Sequence, residues 1–102
     1  MQLDDIYWHD SLILGVRITS KKDVIEMRLL YPEDWQSNTF REKTVVFEDA
    51  YGYKEFQGPF EGSPTILSVD VVGIIDRWSQ LRIETNAGYC EIYCVDAFLK
   101  HA

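Results

Sequence analysis

Hydrophobic residues recur at every second position in several separate segments, and this period constrains the chain more than any other feature. Leu12, Leu14, Val16 and Ile18 alternate with Ile13, Gly15 and Arg17, while Ile25, Met27 and Leu29 alternate with Glu26 and Arg28. Val45 and Phe47 alternate with Thr44, Val46 and Glu48. Leu81, Ile83 and Thr85 alternate with Arg82 and Glu84, and are followed by Cys90, Ile92 and Cys94 against Glu91 and Tyr93. Successive side chains of a strand point to opposite faces, so each segment reads as a strand with one more apolar face. Val71, Ile74, Ile75 and Trp78 also fit a helical stripe, but Gly73 and the β-branched residues from Val69 to Ile75 oppose a helix, so extended structure is expected there.

The breaks between segments shape the topology. Residues 19–23 read as the turn of a first hairpin, and Pro32 to Asn38 as a loop, because proline has no backbone donor for a ladder. Tyr51 and Tyr53 continue the phase of Phe47, so the third strand is expected to run on to Tyr53 with a bulge at Gly52. Gly58 to Pro64 carries the densest group of breakers in the chain and must turn. Asn86-Ala87-Gly88 predicts a three-residue hairpin loop with Gly88 in the left-handed αL region. Phe98 and Leu99 in the trailing segment are expected to fold back onto the core. Five to seven short strands, each with one apolar face, predict an all-β fold. It would be a small, mostly antiparallel sandwich or a curled, partly closed barrel.

With 102 residues, 46% of them hydrophobic, residues 1–102 form a single β-rich domain able to close its own core. Ten basic against seventeen acidic residues give a net charge of −7, which disfavours binding to a nucleic-acid backbone. The opening Met1-Gln2-Leu3-Asp4-Asp5-Ile6 lacks the positive, apolar pattern of a secretory signal, and no apolar run reaches the roughly 18 residues of a membrane helix. A cytoplasmic protein without membrane attachment is therefore expected. Cys90 and Cys94, four residues apart on one strand, would stand about 13 Å apart, beyond the reach of a disulfide. They are expected as reduced, buried thiols on the Ile92 face.

His9-Asp10-Ser11 contains three residue types used by hydrolases. Neighbours in an extended chain diverge, however, so a structural role at the start of the first strand is the stronger reading. A small hydrolase would need His9 to meet a distant acid such as Asp49 or Asp70, or its neighbour Asp10, inside a pocket. His101 lies one residue from the end of the chain. No histidine, cysteine or aspartate spacing matches a zinc or calcium site, and no glycine pattern matches a nucleotide loop, so no cofactor, no metal and no catalytic residue is expected. Acidic pairs such as Glu33-Asp34 and Glu48-Asp49 read as solvated surface.

Aromatic residues interleaved with acids remain. Tyr31, Trp35, Glu33 and Asp34 form one group, and Tyr51, Tyr53, Glu55, Phe56, Phe60 and Glu61 form another. Tyr and Trp supply contact area at low entropic cost, and carboxylates steer a basic partner. The candidate partner-binding residues are thus Trp35 and Tyr53, with Glu33, Asp34, Glu48, Asp49, Glu55 and Glu61 as steering charges. Trp8-His9-Asp10-Ser11 before an alternating strand, Val46-Phe47-Glu48-Asp49, and Ile83 to Gly88 leading to Glu91-Ile92 give the chain a resemblance. It resembles small uncharacterised bacterial β-domains, some related to immunity proteins of toxin systems. That resemblance implies a binding role with no catalytic residue. The expected function is a non-catalytic intracellular protein-interaction domain, an immunity-like inhibitor of a basic toxin being one form of it. A homo-oligomeric structural or scaffold domain is the alternative, and a homodimer is expected because a small curled sheet leaves open edges.

Overall fold

The computed structural model describes residues 3, 6–19, 22–34 and 36–100. Trp35 and His101 lie outside the described residues. Among the described residues there are eight strands, one more than the upper end of the expected five to seven, because Asp96–Lys100 adds a strand of its own: β1 (Leu12–Thr19), β2 (Val24–Asp34), β3 (Thr39–Glu48), β4 (Tyr51–Gln57), β5 (Ile66–Ile75), β6 (Trp78–Thr85), β7 (Gly88–Cys94) and β8 (Asp96–Lys100). They form two antiparallel four-stranded sheets, ordered β1-β2-β3-β8 and β4-β7-β6-β5. The sheets pack as a sandwich and neither closes into a barrel.

The alternation seen in the sequence fills the space between the sheets. Ile25, Met27, Leu29, Val45 and Phe47 come from one sheet, and Ile66, Leu81, Ile83, Cys90, Ile92 and Cys94 from the other. Trp8 closes one end, stacked on Phe47 at 6.3 Å, with its indole N–H donating to the Leu3 carbonyl at 3.1 Å. Both cysteines are buried and free.

Three local expectations need correction. The loop expected from Pro32 to Asn38 is confined to the turn that includes residues 36–38, because β2 runs to Asp34 and its ladder with β3 includes Pro32↔Phe40 and Asp34↔Thr39. Pairing with β1 has already ended at Leu30, so β2 has a neighbour on one side only at Pro32 and tolerates the missing donor. Nor does the third strand reach Tyr53. It stops at Glu48, and Asp49 takes a left-handed φ of 47°. The chain then crosses to the second sheet, secured by hydrogen bonds from Ala50 N to the Asp23 carbonyl (2.7 Å) and from Val95 N to the Glu48 carbonyl (3.1 Å). The bulge expected at Gly52 is present in β4, where the register shifts between Tyr51 and Lys54. Finally, Gly88 has a φ of 146°, outside αL, and pairs with Thr85 across a turn of Asn86 and Ala87. Glycine is required there because a Cβ would lie 1.9 Å from the Phe56 carbonyl oxygen of β4.

The segment from Val69 to Ile75, which sequence alone could read as helix, is strand within β5. At its start β5 also touches the first sheet. Leu12 bridges Thr65, Ile66 N donates to the Ser11 carbonyl (2.8 Å), and Asp10 N donates to the Ile66 carbonyl (2.9 Å).

Candidate interaction surface

The outward face of the second sheet is set by register. Residues directly opposite on antiparallel strands share a face, so Tyr51, Tyr93, Gln80 and Gly73 form one row across β4, β7, β6 and β5. Lys54, Glu91, Arg82 and Asp70 form a second row, with charges alternating along it. Phe56, Tyr89, Glu84 and Ser68 form a third. Phe56 stacks on Tyr89 at 4.9 Å, and the Arg82 guanidinium lies 3.8 Å from the centre of the Tyr89 ring.

At the Tyr51 end of this face, Tyr51, Ile75, Trp78 and Tyr93 line a shallow, mostly apolar depression of about 460 Å³. Two of its rings, Tyr51 and Trp78, are held by their polar atoms. The Tyr51 hydroxyl donates to Asp23 Oδ2 at 2.9 Å, the Trp78 indole N–H donates to the Asp49 carbonyl at 3.0 Å, and the two rings meet edge to face at 6.2 Å. Arg77 sits over the Trp78 ring at 4.8 Å. The bond to Asp23, followed by burial, raises the Tyr51 hydroxyl above the ordinary tyrosine range. Asp49, in its left-handed turn, and Arg77, in the two-residue turn after Ile75, lie near enough for their opposite charges to act on the Tyr51 hydroxyl.

The residues singled out from sequence are distributed differently. Glu33 pairs with Arg41 at 2.7 Å, and Asp34 accepts from Gln36 N at 3.0 Å in the β2–β3 turn. Hydrogen bonds from the Ser37 side chain and from Gln36 N hold the Asp34 carboxyl below the usual carboxylate range. Glu48 and Asp49 stand at the other end of β3, about 30 Å away at strand rise. Tyr53 packs against the core and donates its hydroxyl to Glu55, so burial and then that bond hold its proton well above the ordinary range. Glu55 and Glu61 are exposed, the latter in the β4–β5 connection. The structure thus brings Asp49 beside the Tyr51–Trp78 pair and leaves Glu33 and Asp34 at a distant hairpin tip. Sequence reasoning missed Trp78, Tyr93 and Ile75. Their only signal was outward phase on strands whose partners are far away in the chain.

His9 Nδ1 lies 3.1 Å from Asp10 Oδ2, both side chains being largely exposed. Ser11 is fully buried and donates its hydroxyl to the Tyr7 carbonyl at 3.1 Å, so it stands apart from the His9–Asp10 pair, which lies in a turn with Asp10 at φ 69° and not in the extended chain expected there. His9 does not line the depression. Burial, with a smaller contribution from Glu55, pushes the Cys90 thiol up to about 12; burial and then Asp96 push Cys94 up to about 11. Among the described residues, no group of three or more His, Cys, Asp or Glu side chains is placed to hold a metal ion, and no helix is long and apolar enough to cross a membrane. No protein-family model matches the chain, and no curated protein is significantly similar to it.

Proposed function

We propose that the chain is a non-catalytic protein-interaction domain that binds a basic protein through the Tyr51–Trp78–Tyr93 depression. The observation that carries this reading is an open aromatic depression in which the Tyr51 and Trp78 rings are already fixed, by Asp23 and by the Asp49 carbonyl. Rings held before binding lose little freedom on binding, which is the property of interface anchors. Asp23 and Asp49 beside Tyr51, on a molecule of net charge −7, favour a cationic partner and accelerate its approach. An immunity-like inhibitor covering the basic cleft of a toxin is one form of this function, and it rests on the sequence resemblance.

The test is affinity capture from the native host, followed by binding kinetics of the purified pair. Association should slow markedly between about 50 and 500 mM salt, and Trp78→Ala should speed dissociation by roughly tenfold or more. A partner whose binding ignores both salt and Trp78→Ala would refute this site.

A further inference from the structure

We infer that β5 is a self-association edge, through which a second copy of the chain pairs antiparallel to give one continuous eight-stranded sheet, β4-β7-β6-β5 joined to its two-fold mate. This inference is independent of the proposed hetero-partner and meets its surface only at Ile75. Among the described residues, β6 is the only strand paired with β5 beyond Ile66, so the other side of its backbone from Leu67 to Ile75 is open. Open edges are normally blunted by charge, proline or brevity. The other three edge strands show such features. β8 has five residues and includes Asp96 and Lys100, and β4 carries Lys54 and Glu55; β1 has a single charge, Arg17, as β5 does, but is shorter and has its start covered by the Leu12–Thr65 bridge and the bond from Ile13 N to the Pro64 carbonyl (2.9 Å). Ten-residue β5 has Asp70 as its one charge and no proline. Its register shifts after Ile66 and Val71 bend the ladder but add no charge.

The side chains of β5 are left uncovered as well. Val71 and Ile74 are opposite Leu81 and Ser79, whose row continues to Ile92 and Cys94, so register places both on the core-facing side of the sheet. Yet Val71 is 47% exposed and Ile74 73% exposed. Leu67, Val72 and Ile75 are also about half exposed. Together the five present on the order of 500 Å² of apolar surface, divided between the two faces of the strand. Two copies double that to roughly 1,000 Å², and the flanking backbone brings the total near the roughly 1,200 Å² at which stable interfaces begin. A second copy is the occupant whose matching edge is present at equal concentration, and two-fold pairing covers both edges at once.

Sedimentation of the full chain over roughly 1 to 500 µM tests the inference, because a dimer must dissociate on dilution. The expected result is a dimer whose dissociation constant rises at least about tenfold in Ile74→Lys and in Val72→Lys, while Leu14→Lys on the β1 edge leaves it unchanged. Circular dichroism of each variant checks that the sheet content is retained, and Ile74→Ser provides a milder change at the same position. Because each copy carries −7, association should tighten as salt rises from about 50 to 500 mM, opposite in sign to capture of a basic partner. The inference is overturned by a monomer throughout that range, by a dimer indifferent to folded Ile74→Lys, by dissociation in Leu14→Lys instead, or by a β5 edge that is occupied only when a different protein is bound.

Discussion

β4 and β5 are the two edges of one sheet, equally open to a further strand, and they handle that position in opposite ways. β4 is bulged at Gly52 and Tyr53, turns Tyr53 inward against the core, and shows Lys54 and Glu55 to solvent. β5 is longer, and from Val71 to Ile75 it shows only apolar side chains and one glycine. The difference teaches that edge exposure in this molecule is a matter of side-chain choice and not of topology. One edge is built to stay free, and the other has the composition of a strand that expects a neighbour.

The largest change should come from detaching β4. Gly88 lies so close to the β4 backbone that any Cβ meets the Phe56 carbonyl oxygen at 1.9 Å, and neither partner is the end of a flexible side chain. Gly88→Val is expected to cost about 3 kcal/mol or more, lowering the melting temperature by roughly 12 °C or more. A melting temperature within a few degrees of the parent would mean that β4 is not anchored through this contact. Next in size is a contrast within β5 itself. Ile66 is fully buried and Ile74 is 73% exposed, so Ile66→Ala should cost about 2 to 5 kcal/mol and Ile74→Ala less than about 0.5 kcal/mol in dilute solution. Urea denaturation at low protein concentration measures both, and equal costs would show that the outer half of β5 is covered after all.

How much of this was legible in the sequence depended on which neighbours a residue has. The inward phases of β2, β3, β6 and β7 were readable because a residue's face follows from its position within its own strand. The sheet exchange after Glu48 was not, since Tyr51 and Tyr53 keep the phase of Phe47 and only the left-handed Asp49 reveals the break. Pro32 misled for a related reason. Its cost depends on whether β1 still runs alongside, which is a fact about the first strand and not about the second. The aromatic depression was illegible because Tyr51, Trp78 and Tyr93 come from three strands, brought together by the β4–β7 pairing that no local pattern encodes.

A third effect separates the buried middle of the sheet from both edges. Cys90 and Cys94 on β7 remain thiols in the folded chain up to about 12 and about 11, whereas an unfolded cysteine ionises near 8.5. The folded state therefore holds more protons than the unfolded state above pH ~9, and stability must fall as pH rises from there toward the folded values. The expected loss is on the order of a few kcal/mol, and it should shrink in Cys94→Ala when melting is followed from pH ~8 to ~11. At pH ~8 both thiols should react with a disulfide reagent only as fast as the sheet opens, so rapid labelling of the folded chain would contradict their burial.

The smallest effect on stability should come from giving β4 the surface of β5. Lys54 and Glu55 are exposed, so Lys54→Val combined with Glu55→Val should shift folding free energy by no more than about 1 kcal/mol, allowing for Glu55's bond from Tyr53. Its effect on assembly should be much larger than its effect on folding. A sheet with one associating edge stops at a dimer, but a sheet with two can add copies at both ends without closure. The double variant is thus expected to form species beyond the dimer in sedimentation at concentrations where the parent chain forms none. If it sediments like the parent while remaining folded, the charges are not what keeps β4 free. The bulge at Gly52 and Tyr53 then does so by bending the strand away from any incoming partner, and restoring a regular ladder there becomes the change that opens the edge.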